Sequence, residues 1–333
     1  MYAYPNPYLT QVFDVYRKIR TTTRFLLGTL ADFDPSTDTV AYDDLPALDK
    51  YMLQKNAAFV ATARDAFEQY QFFRLYQAIQ SWCASDLSNF YLDASKDRLY
   101  LAKRSDRERR ACQTVLASVT TSLLAAVAPI LPHMAEDAWL AMPEALRTNQ
   151  NKTEGKPSPS VFLAGWAGLT STTSSSSDTC TTSTLVEDWD ALRAVRDVAL
   201  KALEAARREK VVGASLDAKV TLYVESAEWR ARLQDAIGSD GTCDGLDKVL
   251  IVSEAAWAES EPAVEEGMFM EREEVEAVGG DVVAVVARAG GQKCERCWGF
   301  RTLGGVTAHP TLCDRCGGVV VELGVDAQFT PAV

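Results

Sequence analysis

The length, composition and charge of the chain limit its class before any motif is considered. It has 333 residues, 47% of them hydrophobic and 24% charged, so it is long enough for about two or three globular domains and is not a disordered chain. The formal net charge of −12 excludes a protein that coats nucleic acid unselectively, because such binding needs dense Lys and Arg. The longest apolar run, around Leu123–Leu131, is far shorter than the ~20 residues of a spanning helix, and we expect no membrane partner.

The first part of the chain has the periodicity of amphipathic helices. Apolar residues recur at helical spacing over Leu9–Leu30, Leu48–Tyr70 and Phe73–Tyr91; a fourth helix extends from about Arg107 to Pro129, and a short one covers Pro132–Met142. Four long helices with short connections predict a mainly α fold, an antiparallel bundle over residues 9–142.

After the bundle the composition changes. Residues 170–184 contain thirteen Ser or Thr in fifteen positions, too polar to bury a core, and we predict a low-complexity insertion over 143–185. A small α/β module is predicted over 186–290, with a glutamate-rich loop between its second and third strands. Its predicted helices are Val186–Glu209 and Glu228–Ile237, and its predicted strands are Lys219–Glu225, Val249–Val252 and Val282–Val286.

Four cysteines near the C-terminus have the spacing of a metal site. Cys294, Cys297, Cys313 and Cys316 form two CxxC pairs, a pattern typical of four-thiolate zinc sites, and we predict one structural Zn²⁺ in a ribbon over residues 291–322. Two disulfides are the alternative, but disulfide scaffolds are mostly short secreted chains. His309 could replace one thiolate, although four cysteines already complete the coordination of zinc.

Basic residues form two clusters in this acidic chain, and each is either a solvated face or a phosphate-binding surface. One cluster lies in the first helix. The other has seven basic and three acidic residues over 96–110. On the predicted ribbon, Trp298 either covers the metal or stacks on an unpaired base, as aromatic side chains do with single-stranded RNA.

Several motifs occur in order over roughly residues 12 to 320. They are YRKIRTTTRFLLGTL at Tyr16–Leu30 with DFDP at Asp32–Pro35, FYLDASKDR at Phe90–Arg98 with Tyr100, Ala128–Leu131 with Trp139, KVVGASL at Lys210–Leu216, and CERCW at Cys294–Trp298 followed by His309, Pro310 and the second CxxC pair. In this order they resemble the C-terminal part of bacterial-type isoleucyl-tRNA synthetases.

The resemblance implies the anticodon-binding bundle and zinc finger of a class I synthetase, with tRNA(Ile) as partner. The candidate RNA contacts that it implies are Arg17, Lys18, Arg20, Arg24, Arg107, Arg109, Arg110, Arg296, Trp298 and Arg301. The family activates isoleucine through a His-Ile-Gly-His motif and a Lys-Met-Ser-Lys-Ser loop, and neither occurs in this sequence, whose two histidines are His133 and His309. We therefore expect no catalytic residue and no aminoacylation by this chain alone. We expect a monomer that is a fragment or truncated gene product of such an enzyme, with the enzyme's catalytic domain as a partner if the two are expressed separately. We expect it in the cytoplasm or, for a nuclear-encoded organellar enzyme, in the chloroplast or mitochondrion.

Two other functional classes stay open at this stage. The chain could be a stand-alone RNA-binding or regulatory protein derived from the same region. The terminal zinc finger is also related to that of a DNA glycosylase class, but those enzymes use an N-terminal proline as nucleophile, and Tyr2 follows Met1 here.

Overall fold

The structure is a computed structural model that describes residues 7–150, 157–164, 179–238 and 244–324. The chain divides into two compact units. The first contains Met1–Ser95 and Arg104–Asp178, and the second contains Lys96–Lys103 and Thr179–Val333.

The first unit is a helical bundle whose helices bury their apolar faces against one another. The helix that begins at Leu92 passes into the second unit at Lys96. Helices α1 to α8 are Pro7–Thr29, Ala47–Glu68, Phe72–Ser81, Leu92–Tyr100, Arg107–Val127, Pro132–Ala141, Glu144–Gln150 and Val161–Ala164, and a π-helical segment, Trp82–Tyr91, lies between α3 and α4. The helix predicted to end at Tyr91 therefore continues to Tyr100, because no Gly or Pro interrupts it.

Ring stacking and a few buried hydrogen bonds fix the packing of the bundle. Phe59 of α2 stacks on Trp82 with ring centroids 5.1 Å apart and planes 6° from parallel. Asn56 of α2 donates to Ser122 of α5 at 2.9 Å, and the hydroxyl of Tyr91 donates to Asp49 at 2.6 Å. These polar contacts set the register of helices whose apolar faces alone would allow sliding.

Helix α5 is the one described helix that is long and apolar enough to cross a bilayer by length and composition. The sequence had suggested no such segment. Of its apolar window, 78% is buried inside the structure, as is typical of the core helix of a bundle. Asp106 caps its N-terminus by accepting a hydrogen bond from the backbone N–H of Glu108 at 2.9 Å.

The second unit contains a four-stranded sheet in the order β2-β1-β4-β3. Strand β1 is parallel to β2 and antiparallel to β4, which is antiparallel to β3. Helix α9 packs against β3 and β4. The strands are Ala218–Val224, Glu254–Trp257, Phe269–Val275 and Gly280–Arg288, and helices α9 to α11 are Thr179–Arg208, Ala227–Ala236 and Leu246–Leu250.

Two predictions in this module are wrong. The first residues of the strand predicted at Val249–Val252 belong instead to the end of helix α11. This helix ends where Ile251 adopts a left-handed conformation (φ 58°), and the strand lies later, at Glu254–Trp257. A short apolar run fits a helix or a strand equally well. The predicted glutamate-rich loop contains the edge strand β3, whose Glu273 pairs with Lys201 of α9.

The predicted insertion over 143–185 is partly helical. Helices α7 and α8 lie within it, and α9 begins at Thr179 rather than at Val186. Residues 165–178, which include the first part of the Ser/Thr-rich run, lie outside the described residues. The predicted fold class, a helical bundle followed by a small α/β module and a C-terminal four-cysteine ribbon, is confirmed.

Candidate metal centre and nucleic-acid interface

The ribbon brings the four predicted cysteines into one cluster. It consists of strands β5 (Gln292–Lys293) and β6 (Phe300–Arg301) and helix α12 (Asp314–Glu322). All four Sγ atoms lie within 4.8 Å of one another, and those of Cys297 and Cys313 are 3.9 Å apart. Sulfurs bonded at about 2.3 Å to one tetrahedral ion would be about 3.8 Å apart, so the cluster can hold a metal ion.

Local backbone geometry explains how each pair presents two sulfurs. In the first pair the N–H of Trp298 donates to the carbonyl of Cys294 at 2.8 Å, and the N–H of Cys294 donates to Gly299 at 3.0 Å, which closes a tight turn. The second pair lies at the N-terminus of α12, where Cys313 is the N-cap residue. Both pairs therefore present their two sulfurs from a single turn of backbone.

Two glycines lie in the loop between the pairs. Gly304 has a positive φ of 85°, which a side chain would disfavour. A Cβ on Gly305 would lie 1.9 Å from Oδ1 of Asp314, so a side chain there would have to displace the carboxylate of the first residue of α12. The backbone conformation at Gly304 and the close approach of the Asp314 carboxylate at Gly305 therefore favour glycine at these two positions.

The cysteines of the cluster change one another's pKa. A hydrogen bond with Cys316 lowers the pKa of Cys297 to about 4, and a further hydrogen bond from Gly299 acts in the same direction. Burial raises the pKa of Cys313, and the contact with the Cys297 thiolate raises the pKa of Cys316. The six cysteines whose state the structure describes are not joined in disulfides.

Trp298 is presented to solvent rather than packed over the cysteines. Its side chain is 64% exposed, and its backbone has a positive φ of 62°, a conformation that bulky residues rarely adopt. His309 lies outside the cysteine cluster, and His133 is an exposed residue at the start of α6. This geometry favours the stacking interpretation of Trp298 over the covering one.

The two arginines that flank this tryptophan are held by the protein. Arg296 donates to the carbonyl of Leu101 at 2.9 Å, and the same Nη1 lies 3.7 Å from Sγ of Cys316. Arg301 lies 3.4 Å from Oδ2 of Asp247 in α11. Their guanidinium groups therefore orient the ribbon, and Arg296 also offsets the negative charge of the thiolates.

The basic residues predicted in the bundle fall into two groups. Arg17, Lys18, Arg20 and Arg24 lie along α1 with at least part of each side chain in solvent, and Arg107 forms an exposed pair with Asp44 at 3.0 Å. Arg17 pairs with its helical neighbour Asp14 and lies over the ring of Phe13. Exposed pairs of this kind contribute about 0–1 kcal/mol, so these cations can exchange their partners for phosphates.

Arg109 and Arg110, in contrast, point into a polar cluster of the bundle. Arg109 donates to both carboxylate oxygens of Asp32 at 2.9 Å, and Arg110 donates to the Asp32 carbonyl at 2.9 Å. Burial would raise the pKa of Asp32, but hydrogen bonds from Arg109 and Gln113 outweigh it and lower that pKa. The structure thus gives these two arginines a role in holding the loop after α1.

Asp97 is a site residue that the sequence reasoning missed. It is an acidic residue in a basic run, and its carboxylate accepts from both Nη atoms of Arg315 in α12, one of them at 2.7 Å. Burial would raise the pKa of Asp97, yet it is lowered, because the hydrogen bond from Arg315 and the nearby charge of Lys248 dominate. The one signal in the sequence was the position of this acidic residue within the basic run over 96–110.

Comparison with known proteins gives the class of this chain. Residues 49–222 match the family described as the anticodon-binding domain of tRNA ligase, which is more than half of the chain, and the chain belongs to that family. Binding of tRNA is the function that this membership implies.

Curated relatives give a more specific result. The chain is 42% identical to an isoleucine–tRNA ligase of Synechococcus sp. over 92% of its length, 43% identical to that of Thermosynechococcus vestitus over 92%, and 42% identical to that of Acaryochloris marina over 97%. It spans 30 to 31% of the length of these ligases. The resemblance predicted from the motifs is confirmed.

Proposed function

We propose that this chain recognises the anticodon of tRNA(Ile) as part of an isoleucine–tRNA ligase, whose complete form joins isoleucine to tRNA at the expense of ATP. One observation carries the proposal: a chain with 42% identity to such ligases presents an exposed tryptophan on a four-cysteine ribbon. Unpaired anticodon bases offer π faces for stacking, and an exposed indole is a suitable platform for one of them.

We also propose that the metal is one structural zinc ion, bound by Cys294, Cys297, Cys313 and Cys316. Four thiolates at tetrahedral spacing match the preference of Zn²⁺, and four protein ligands leave no position for a reacting water. The ion would hold the first CxxC turn, and with it Trp298, against α12. Zinc would therefore stabilise the ribbon that carries Trp298 and would take no part in a reaction.

Phosphate contacts are proposed for the exposed cations. Arg17, Lys18, Arg20 and Arg24 of α1, with Arg107 of α5, support this role through their exposure. The guanidinium groups of Arg109, Arg110, Arg296 and Arg301 are held by protein oxygens, and we propose that they position the surface. Phosphate contacts fix orientation, whereas contacts with bases give specificity.

The test compares two transcripts that differ only in the anticodon. The full chain should bind tRNA(Ile) more tightly than the altered transcript at equal salt. Trp298→Ala should lose about 1 to 3 kcal/mol of binding, the range for one base–aromatic stack, mainly on the cognate transcript. Trp229→Ala is the matched control, because Trp229 lies on α10 and stacks on Arg232. Equal binding of both transcripts by the native chain would disprove anticodon reading and favour a stand-alone RNA-binding role.

Assembly and location are further parts of this proposal. We propose a monomer, for which light scattering should give a mass near 36.4 kDa. The relatives reported above are from cyanobacteria, which supports the cytoplasm of a bacterium or, for a nuclear-encoded enzyme, the chloroplast or mitochondrion. Imaging of the tagged protein in its own cells distinguishes these compartments.

A further inference from the structure

The ribbon is attached to one short segment, the α4 tail, defined as residues 96–103 of the second unit. Three contacts join them. Arg315 of α12 binds the Asp97 carboxylate through two nitrogens, Arg296 of the first CxxC turn donates to the Leu101 carbonyl, and Lys103 pairs with Glu322 at the end of α12. Both CxxC pairs are therefore tied to the same eight-residue segment.

Asp97 is at the centre of a chain of alternating charges. Beyond Arg315 it lies 3.6 Å from Lys248 of α11, which is 3.5 Å from Asp247, and Asp247 in turn meets Arg301 of the ribbon at 3.4 Å. The charges therefore connect the α4 tail, α11 and two different parts of the ribbon. An isolated exposed pair contributes little, but a bidentate arginine–carboxylate contact within a network fixes geometry.

This arrangement holds both sides of Trp298 and leaves its ring free. Arg296 precedes the tryptophan by two residues and contacts the α4 tail, while Arg301 follows it by three and contacts α11. The indole itself is 64% exposed. A tryptophan whose flanking backbone is held in this way loses less conformational freedom when a base stacks on it. Preorganisation of this kind improves the discrimination between a cognate and an altered anticodon.

We propose that Asp97 is a positioning residue for anticodon reading: its bonds to Arg315 and Lys248 orient the ribbon so that Trp298 faces the unpaired bases. The inference rests on the proposed function, since it assigns Asp97 a role in that same reading. Asp97 need not touch RNA. Its carboxylate acts through the ribbon, and its loss should leave the metal in place.

The experiment measures the preference of the full, zinc-loaded chain for the cognate anticodon over an altered one. Asp97→Asn keeps the size of the side chain and removes its charge. We expect it to lower the preference roughly tenfold, equivalent to about 1.4 kcal/mol, with zinc still at one ion per chain. Hydrogen exchange over residues 294–322 should become faster. Glu273→Gln is the matched control, because it removes a surface pair with Lys201 in the same unit.

A double-mutant cycle shows whether the two partners act as one. Arg315→Gln should have the same effect as Asp97→Asn, and the double variant should be no worse than either single variant. Arg315→Gln also decides the question if Asp97→Asn fails to fold. Additive losses in the double variant would overturn the proposal.

The remaining outcomes separate this inference from the proposed function. If the native chain shows no preference for the cognate anticodon, the proposed function itself fails. If the native chain discriminates and Asp97→Asn discriminates equally well, the positioning role is wrong. It is also wrong if Asp97→Asn loses zinc, or if it weakens both transcripts by the same factor, because a general loss of structure or charge would then explain the change.

Discussion

Replacing Trp298 by Gly and by Ala should separate the structural cost of this residue from its functional contribution. Both variants remove the indole, about a third of which is buried. A large aromatic side chain buries up to about 250 Å², so roughly 90 Å² of contact disappears, equivalent to about 2 kcal/mol in each variant. The two variants differ in the backbone, because φ of 62° is strained for any residue with a Cβ.

The left-handed conformation costs a residue with a Cβ roughly 1–2 kcal/mol, and Gly avoids this cost. Trp298→Gly should therefore be about 1 kcal/mol more stable than Trp298→Ala, the reverse of the usual order of these two residues. Zinc-loaded protein unfolded in denaturant gives the comparison, with hydrogen exchange over residues 294–322 to assign it to the ribbon. Both variants should lose discrimination between anticodons. Equal stability, or greater stability of the Ala variant, would show that the turn is unstrained and would remove this argument for a functional tryptophan.

Three further outcomes follow from the structure. Chelation, or Cys313→Ser, should unfold the ribbon and leave the bundle helical by circular dichroism, because metal binding supplies about 10–16 kcal/mol in small zinc folds; protein purified without chelator that contains no zinc would contradict this. Asp32→Asn should destabilise the bundle by about 1.5–3 kcal/mol near neutral pH, the range for hydrogen bonds to a charged group, since Arg109 and Asp32 are only 12% and 24% exposed. Because folding lowers the pKa of Asp32, the difference from the native chain should persist above pH ~4 and shrink as pH falls below it; a pH-independent difference would refute the charge argument. The chain alone should not exchange pyrophosphate into ATP with isoleucine, and exchange above a no-enzyme control would show that ATP is bound without the family's two motifs.

Patterns of neighbouring residues in the sequence were enough to predict the bundle helices and the metal cluster. Helical periodicity located the long helices of the bundle, and the spacing of Cys294 to Cys316 located the metal cluster, because both follow from the geometry of a few neighbouring residues. The same patterns could not separate helix from strand in the short apolar run before Ser253.

Contacts distant in sequence were not predictable from the chain alone. Arg109 and Asp32 are 77 residues apart, and Arg315 and Asp97 are 218 apart. A cation in a basic cluster looks the same in the sequence whether it faces RNA or a carboxylate. For that reason four of the predicted RNA contacts turned out to have their guanidinium groups held by protein oxygens.

The edge strand β3 also has a consequence for solubility. Its outer side has no strand partner among the described residues, and an unpaired strand edge is a template for pairing with another molecule. Along this edge the sequence Glu271-Arg272-Glu273-Glu274 places a charge at four successive positions. A second molecule that added a strand here would have to bury or oppose these charges, so the glutamate-rich segment protects the sheet against edge-to-edge aggregation. The acidity of this segment therefore serves the folded state, and its replacement by β-branched apolar residues would give a chain that folds but associates through β3.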